Sequence, residues 1–247
     1  MEVTYAHAPV AVRADIQAAH TTVWRKLAEP GTWWTGAERL AIAAEVRKAA
    51  ACRSCAARKT ALSPSAAQGG HDTAGRLPAA VVEMVHRITT DSARLSREWY
   101  EGLAAQGLPD THYVEALGVL VRTISIDTFC RALGMPLHPL PSPVAGAPSR
   151  YRPQLAQDNG EWVPTFPPGE LHGPDAELYS GRPAAPVLRA LSLVPDEVRL
   201  SIFTLLPVQY MDPFRVRDPA CDPGRAINRA QIELLAARVS VLSQCFY

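Results

Sequence analysis

Nowhere does the 247-residue chain approach the roughly 18 consecutive apolar residues that a membrane-spanning helix needs. Its first residues, MEVTYAHAPVAVRADIQ, have no basic start followed by an apolar run. A secretory signal and a membrane anchor are therefore not expected, and a cytoplasmic protein is. An excess of one charge is also missing. A net charge of +1, with 20% charged residues, gives no basic field for nucleic acid and no acidic tail. Alternating β-branched runs are scarce, which leaves little from which to build a sheet. Cysteines number five, few and odd, so a disulfide framework is not expected. In a reducing compartment a close pair points instead to redox chemistry or metal binding.

What is abundant is alanine at helical spacing. The expected fold class is all-α, with helices near residues 14–29, 35–62, 78–89, 91–106 and 110–133. Their ends carry stop signals: Pro30-Gly31, Ser63-Pro64, Gly107-Leu108-Pro109 and Gly134-Met135-Pro136. Between Pro136 and Pro186 the composition changes, with 12 of the 22 prolines in that span. Such density excludes regular helix, and Trp162, Phe166 and Tyr179 within it suggest a segment laid along the helical units rather than a free connector. Helical pattern resumes over 187–206, with a possible break at Pro195, and over 225–247. The length allows one large unit or two of half size. The organisation read from this is a helical unit over 1–135, a Pro-rich connector over 136–186 and a second helical unit over 187–247.

A weak internal repeat links the halves. Ala37-Glu38-Arg39-Leu40-Ala41 leads to Cys52-Arg53-Ser54-Cys55, and Ile232-Glu233-Leu234-Leu235-Ala236 leads to Cys245-Phe246-Tyr247. Each is an Ala-rich helix with a Glu near its start and a Cys several turns on, and the two spacings differ by two residues.

The segment from Arg229 through Glu233 and Ser240 to Cys245 resembles the signature helix of the alkylhydroperoxidase AhpD / carboxymuconolactone decarboxylase-like family, and Trp34 to Cys55 resembles the same helix. Tyr113-Val114-Glu115-Ala116-Leu117-Gly118-Val119, continuing to Ile126-Asp127 and Ala132-Leu133-Gly134, is similar to a later helix of such domains. The resemblance covers roughly residues 30–135 and 187–247 and implies an AhpD-like helical bundle built from two related units. It is also similar to alkylhydroperoxidase-related selenoproteins, members of this group in which Cys-x-x-selenocysteine forms the second signature. Selenocysteine is expected at the position after Tyr247, where a UGA codon would be read as a stop, and the codon there tests the expectation.

Cys52 and Cys55, three residues apart on a helix, would share one face within disulfide reach. Peroxide reduction needs a thiolate to attack the O–O bond and a second thiol to convert the sulfenic acid to a disulfide. Arg53, Arg58 and Lys59 lie near in sequence and would favour the thiolate if they point inward. The resemblance implies that Cys55 attacks, that Cys52 resolves, and that Glu38 or Glu45 shuttles the proton through water. In the second half Glu233 would shuttle the proton, and Cys245, unable to do the chemistry alone, would be the resolving thiol if selenocysteine follows Tyr247. The pattern departs from the family at Lys59, where a His usually stands. The activity implied is thiol- or selenol-dependent reduction of a hydroperoxide or other small oxidant. A dithiol protein would donate the electrons, no organic cofactor is implied, and homo-oligomers are common in the family.

Other chemistries compete. Cys-x-x-Cys is half of a zinc site, but no second Cys pair stands at ligand spacing and His71 is the nearest further donor. Glu83-x-x-His86 and His112-x-x-Glu115, with Glu45, Glu98 and Asp127, have the residue types of a carboxylate-bridged dimetal bundle. Against that, His86 and His112 read as hydrogen-bonded residues at helix ends or interfaces. A non-catalytic, structural member of the family is the remaining alternative. Cys130 reads as a small buried apolar residue, Cys221 as a loop thiol without a partner, Trp33-Trp34 as a staple on the long helix, Trp99-Tyr100 as core, and Gly69-Gly70-His71-Asp72 as a lid or connector.

Overall fold

The computed structural model describes residues 2–67, 69–222 and 224–245, which are helical with no strand; a lone antiparallel bridge joins Gln157 and Thr165. Six helices make the first half: α1 (Ala14–Ala28), α2 (Gly36–Ala49), α3 (Arg53–Thr60), α4 (Ala79–Asp91), α5 (Arg97–Ala105) and α6 (Asp110–Ala132). Helix α2 starts on a complete capping box, in which the Glu38 amide donates to Thr35 Oγ1 at 3.3 Å and the Thr35 amide donates to Glu38 Oε2 at 2.8 Å. Such a cap stabilises a helix start by about 1 kcal/mol. Helix α2 packs on both α4 and α6, and these three carry most of the buried apolar side chains of the first half.

The expected helix over 35–62 is in fact two. After Ala49 the chain turns, with the Ala51 amide bonded to Lys48 O and the Cys52 amide to Ala49 O, and Cys52 adopts an extended conformation as the N-cap of α3. No Gly or Pro marks this break. The turn is held from outside, because Asp72 Oδ2 accepts the free Arg53 amide at 3.0 Å. At its other end α3 is closed by Arg94, which donates to Arg58 O and Ala61 O at 2.6 and 2.7 Å. The expected helix over 91–106 also begins late, after a 3₁₀ turn (Ser92–Arg94) and a Ser96 cap on the Trp99 amide.

Beyond α6 the Pro-rich segment runs without helix to a 3₁₀ turn at Pro174–Tyr179. It is docked throughout. Trp24 Nε1 donates to Pro139 O at 2.9 Å, Arg47 Nη2 to His138 O at 2.8 Å, and the Val144 amide to Ala28 O at 2.9 Å. Phe166 and Tyr179 are fully buried, so the segment supplies core residues rather than lying on the surface.

The region expected to be helical over 187–206 with a break at Pro195 is divided further, into α7 (Pro186–Arg189), α8 (Pro195–Val198), a π-helical stretch (Arg199–Leu205) and α9 (Leu206–Gln209); α10 (Arg229–Leu242) follows. Pro186 and Pro195 each take the first position of a short helix, where the missing N–H costs nothing.

The expected division at 135/136 and 186/187 does not divide the core. Among the described residues one continuous apolar cluster runs from Val3 through α1, α2, α4 and α6 to Phe166, Tyr179, Leu193, Val198 and Leu205, and Met211, Cys221 and Ile232 form a separate small cluster. The reason is burial: α7, α8 and the π-helical stretch are too short to enclose a core alone and must share that of the first half.

A charged cluster ties the two parts. Arg39 of α2 pairs with Glu115 of α6 at 2.6 Å and with Glu197 of α8 at 3.4 Å, and Arg122 of α6 pairs with Glu197; all four are at most 3% exposed. Gly118 of α6 lies directly under Glu197, where a Cβ would collide with the carboxylate.

Candidate functional site

The loop from Gly69 to Ala74 is fastened across the N-terminus of α3. Ser54 Oγ donates to Gly70 O at 2.6 Å, the Asp72 amide donates to Cys52 Sγ at 3.3 Å, and the Ala74 amide donates to Glu45 Oε2 at 3.0 Å. Together with the Asp72 bond to the Arg53 amide, these fix His71 over the cysteines. The segment is a clamp, not a free connector.

His71 Nδ1 is 3.4 Å from Cys55 Sγ and 3.9 Å from Cys52 Sγ. From α4, His86 brings its Nδ1 to 3.2 Å from the same Cys55 sulfur. The two imidazoles are in contact, with ring centroids 4.1 Å apart and planes tilted by 38°. Each is held from behind by a carboxylate: His71 Nε2 is 2.7 Å from Glu83 Oε2, and His86 Nε2 is 2.9 Å from Glu45 Oε1. Glu83 is held in turn by Trp99 Nε1 at 3.1 Å and by Arg87 at 3.7 Å. Glu83 and His86, one turn apart on α4, thus serve different imidazoles.

Burial alone would push the Cys55 thiol up, but the hydrogen bonds from His71 and His86 outweigh it and bring the thiol down to about 5. Burial likewise opposes a charge on His71, yet bonding to Cys55 and Glu83 raises it to about 10. Glu83, which burial would raise, is brought to about 2 chiefly by His71 and Trp99. For Cys52, burial is outweighed by the Asp72 amide and His71, and the thiol falls below its usual range. His86 is raised by Cys55 and Glu45 against burial and the neighbouring His71. The state favoured near neutral pH is a Cys55 thiolate paired with an imidazolium.

Both sulfurs border a cavity of about 420 Å³ whose wall includes Val46, Ala49, Ala56 and Thr90, with Lys59 and Arg131 also lining it. Cys52 and Cys55 are themselves only 2% and 1% exposed, so a reactant reaches them through this cavity.

The fold assembles some of the residues expected to act together and separates others. Cys52, Cys55 and Glu45 come together. Glu38 does not reach them: its carboxylate is spent on the Thr35 cap of α2. Glu233 is bound to Arg229 and Tyr210, each at 2.7 Å. Cys245 is exposed just past α10; the neighbouring Gln244 accepts from Lys59 Nζ at 3.3 Å, which brings this end of the chain beside α3. Phe246, Tyr247 and the expected selenocysteine position lie outside the described residues. Arg53 points to solvent and Lys59 pairs with Asp91 at 3.7 Å, so the two histidines, not these cations, act on the thiol.

The dimetal constellation does not assemble. His112 packs on Trp33 and Trp34, Glu115 pairs with Arg39, and Asp127 pairs bidentately with Arg47 at 2.8 and 2.9 Å. Cys130 is fully buried, and Cys221 belongs to the small second cluster.

The sequence pattern marks His71 only as the nearest further zinc donor to the cysteines and His86 as a dimetal candidate or a hydrogen-bonded residue at a helix end or interface, and it leaves Glu83 out of the thiol chemistry. The chain matches no protein-family model, no curated protein and no solved structure.

Proposed function

We propose that this protein is a thiol-dependent peroxidase of the alkylhydroperoxidase type, reducing a hydroperoxide at Cys55 with Cys52 as the resolving thiol. The observation that carries the reading is a single sulfur, Cys55, flanked by two imidazoles that are each backed by a carboxylate, at the wall of a cavity. A thiol that only fills core space has no need of an imidazole held in this way.

The thiolate attacks the distal peroxide oxygen, forming Cys55 sulfenic acid and breaking the O–O bond. The leaving alkoxide takes a proton from His86 or His71 and departs as the alcohol, with Glu45 or Glu83 stabilising the imidazolium beforehand. The Cys52 thiolate then attacks the sulfenic sulfur. The hydroxyl leaves as water with a proton from the same imidazoles, and a disulfide remains. An external dithiol protein returns two electrons and two protons. No organic cofactor enters this scheme, and homo-oligomeric assembly belongs to the same family reading.

One equivalent of an organic hydroperoxide added to reduced, chelator-treated protein is expected to remove two hydrogens from the intact mass. Peptide mapping is expected to place the new disulfide between Cys52 and Cys55. A protein left fully reduced, or oxidised only at Cys245, would overturn the reading.

In the same metal-free protein the rate of alkylation by a small haloacetamide is expected to rise through about pH 5, the value for Cys55, and stay flat above it. An ordinary thiol would keep rising to about pH 8.5. The direction follows from the sign of the shift: a lowered thiol is already ionised at neutral pH. A profile still climbing at pH 8 would show that the two imidazoles do not hold the thiolate.

A further inference from the structure

Four side chains present donor atoms to one point. Cys52 Sγ, Cys55 Sγ and a ring nitrogen each from His71 and His86 lie within 4.8 Å of one another, the one such group of three or more among the described residues. The spacing is that of a coordination tetrahedron. Zinc bonds of about 2.3 Å to sulfur and about 2.05 Å to nitrogen give a tetrahedral S···N edge of about 3.6 Å, and the three measured S···N separations are 3.2, 3.4 and 3.9 Å.

The nitrogen presented is Nδ1 in both histidines, while both Nε2 atoms are engaged by carboxylates, Glu83 and Glu45. With Nδ1 on a metal, Nε2 must carry the proton, and a carboxylate accepting that N–H fixes the tautomer and the ring plane. A redox relay to Cys55 needs one such imidazole. Two of them, with Cys52 as fourth donor, complete a ligand set.

We propose that Cys52, Cys55, His71 and His86 form a tetrahedral Cys₂His₂ site for a divalent ion of the zinc class, with Glu83 and Glu45 orienting the two imidazoles. Two thiolates and two neutral imidazoles in this geometry select zinc over magnesium or calcium, which require oxygen donors, over an all-thiolate iron–sulfur cluster, and over a two-iron cluster held by two Cys and two His, which puts the sulfurs on one iron and the imidazoles on the other, whereas here both imidazoles lie beside Cys55 Sγ and the four donors converge on one point. The metal joins α3, the clamp loop and α4. It also occupies the lone pairs of both sulfurs, so in any one molecule metal binding and peroxide reduction exclude each other. The proposal stands on donor geometry and does not rest on the peroxidase reading.

The test is a cobalt(II) titration of the reduced, metal-free full chain, followed by zinc competition. The expected result is one equivalent bound, with the intense visible d–d bands of a tetrahedral ion and thiolate charge transfer, both erased by zinc. Cys55→Ser and His71→Asn are expected to lose the tetrahedral spectrum, Cys221→Ser to keep it, and Glu83→Gln to weaken binding about 10–100-fold. No uptake by wild type, the weak bands of an octahedral ion, or a tetrahedral spectrum that survives Cys55→Ser would each overturn the proposal. The wild-type spectrum decides even where a variant fails to fold. Since the readout needs no peroxide, failure of the metal site and failure of the peroxidase reading give separate results.

Discussion

Replacing Cys55 by Ser is expected to lower hydroperoxide reduction, assayed with a dithiol donor, on the order of 10³-fold or more, to the uncatalysed background. Serine keeps the shape and both imidazole contacts, but its hydroxyl does not ionise near neutral pH, so the nucleophile is lost while the site is kept. Cys52→Ser behaves differently. The first step survives, and one equivalent of peroxide leaves one added oxygen at Cys55 that a sulfenic-acid reagent captures, because the resolving thiol is gone. The contrast between the two variants assigns the roles. Unchanged turnover in Cys55→Ser would remove the first-half pair from the chemistry and favour a non-catalytic, structural role.

Glu197→Ala is expected to destabilise the fold by about 3–5 kcal/mol, as loss of one partner of a buried ion pair does, and to lower the midpoint of thermal unfolding by roughly 6–20 °C. Arg122 is bound to Glu197 and is 1% exposed. Its Nε and Nη2 have no partner among the described residues and its Nη1 would keep only Ser201 Oγ at 3.4 Å, so the guanidinium would stay buried without a carboxylate. Arg39 would keep Glu115 alone. Glu197 sits on α8 and its partners on α2 and α6, so the loss falls on the contact between the two parts of the chain, and calorimetry should show it. A shift of less than a degree would mean that water reaches the guanidinium groups and that the cluster does not hold the parts together.

Short-range spacing governs what is readable in this chain. Helices α1, α4 and α6 are each legible to within about two residues because apolar periodicity and Pro or Gly punctuation are local signals. The single helix expected over 35–62 fails for the complementary reason. Ala50-Ala51 favours helix, and the break before Cys52 depends on Asp72, 19 residues after Arg53. Breakage of the 187–206 region is visible only at Pro195; the π-helical stretch has no local mark. The aromatics of the Pro-rich segment signal docking, though not that Phe166 and Tyr179 enter the core.

By itself the sequence determined an all-α fold without a membrane-length helix and a Cys-x-x-Cys pair close enough to act together, since both follow from composition and from residues three or four apart. Tertiary structure alone decided what surrounds that pair. His71 and His86 reach Cys55 from 16 and 31 residues away, and Glu45 meets His86 across 41. A break in a helix turned Cys52 into an N-cap, and one shared core joined segments whose compositions differ. Contacts of that kind come from the packing of separate elements, which no local pattern records: the pair was in the sequence, and the thiolate, with its two imidazoles, was in the fold.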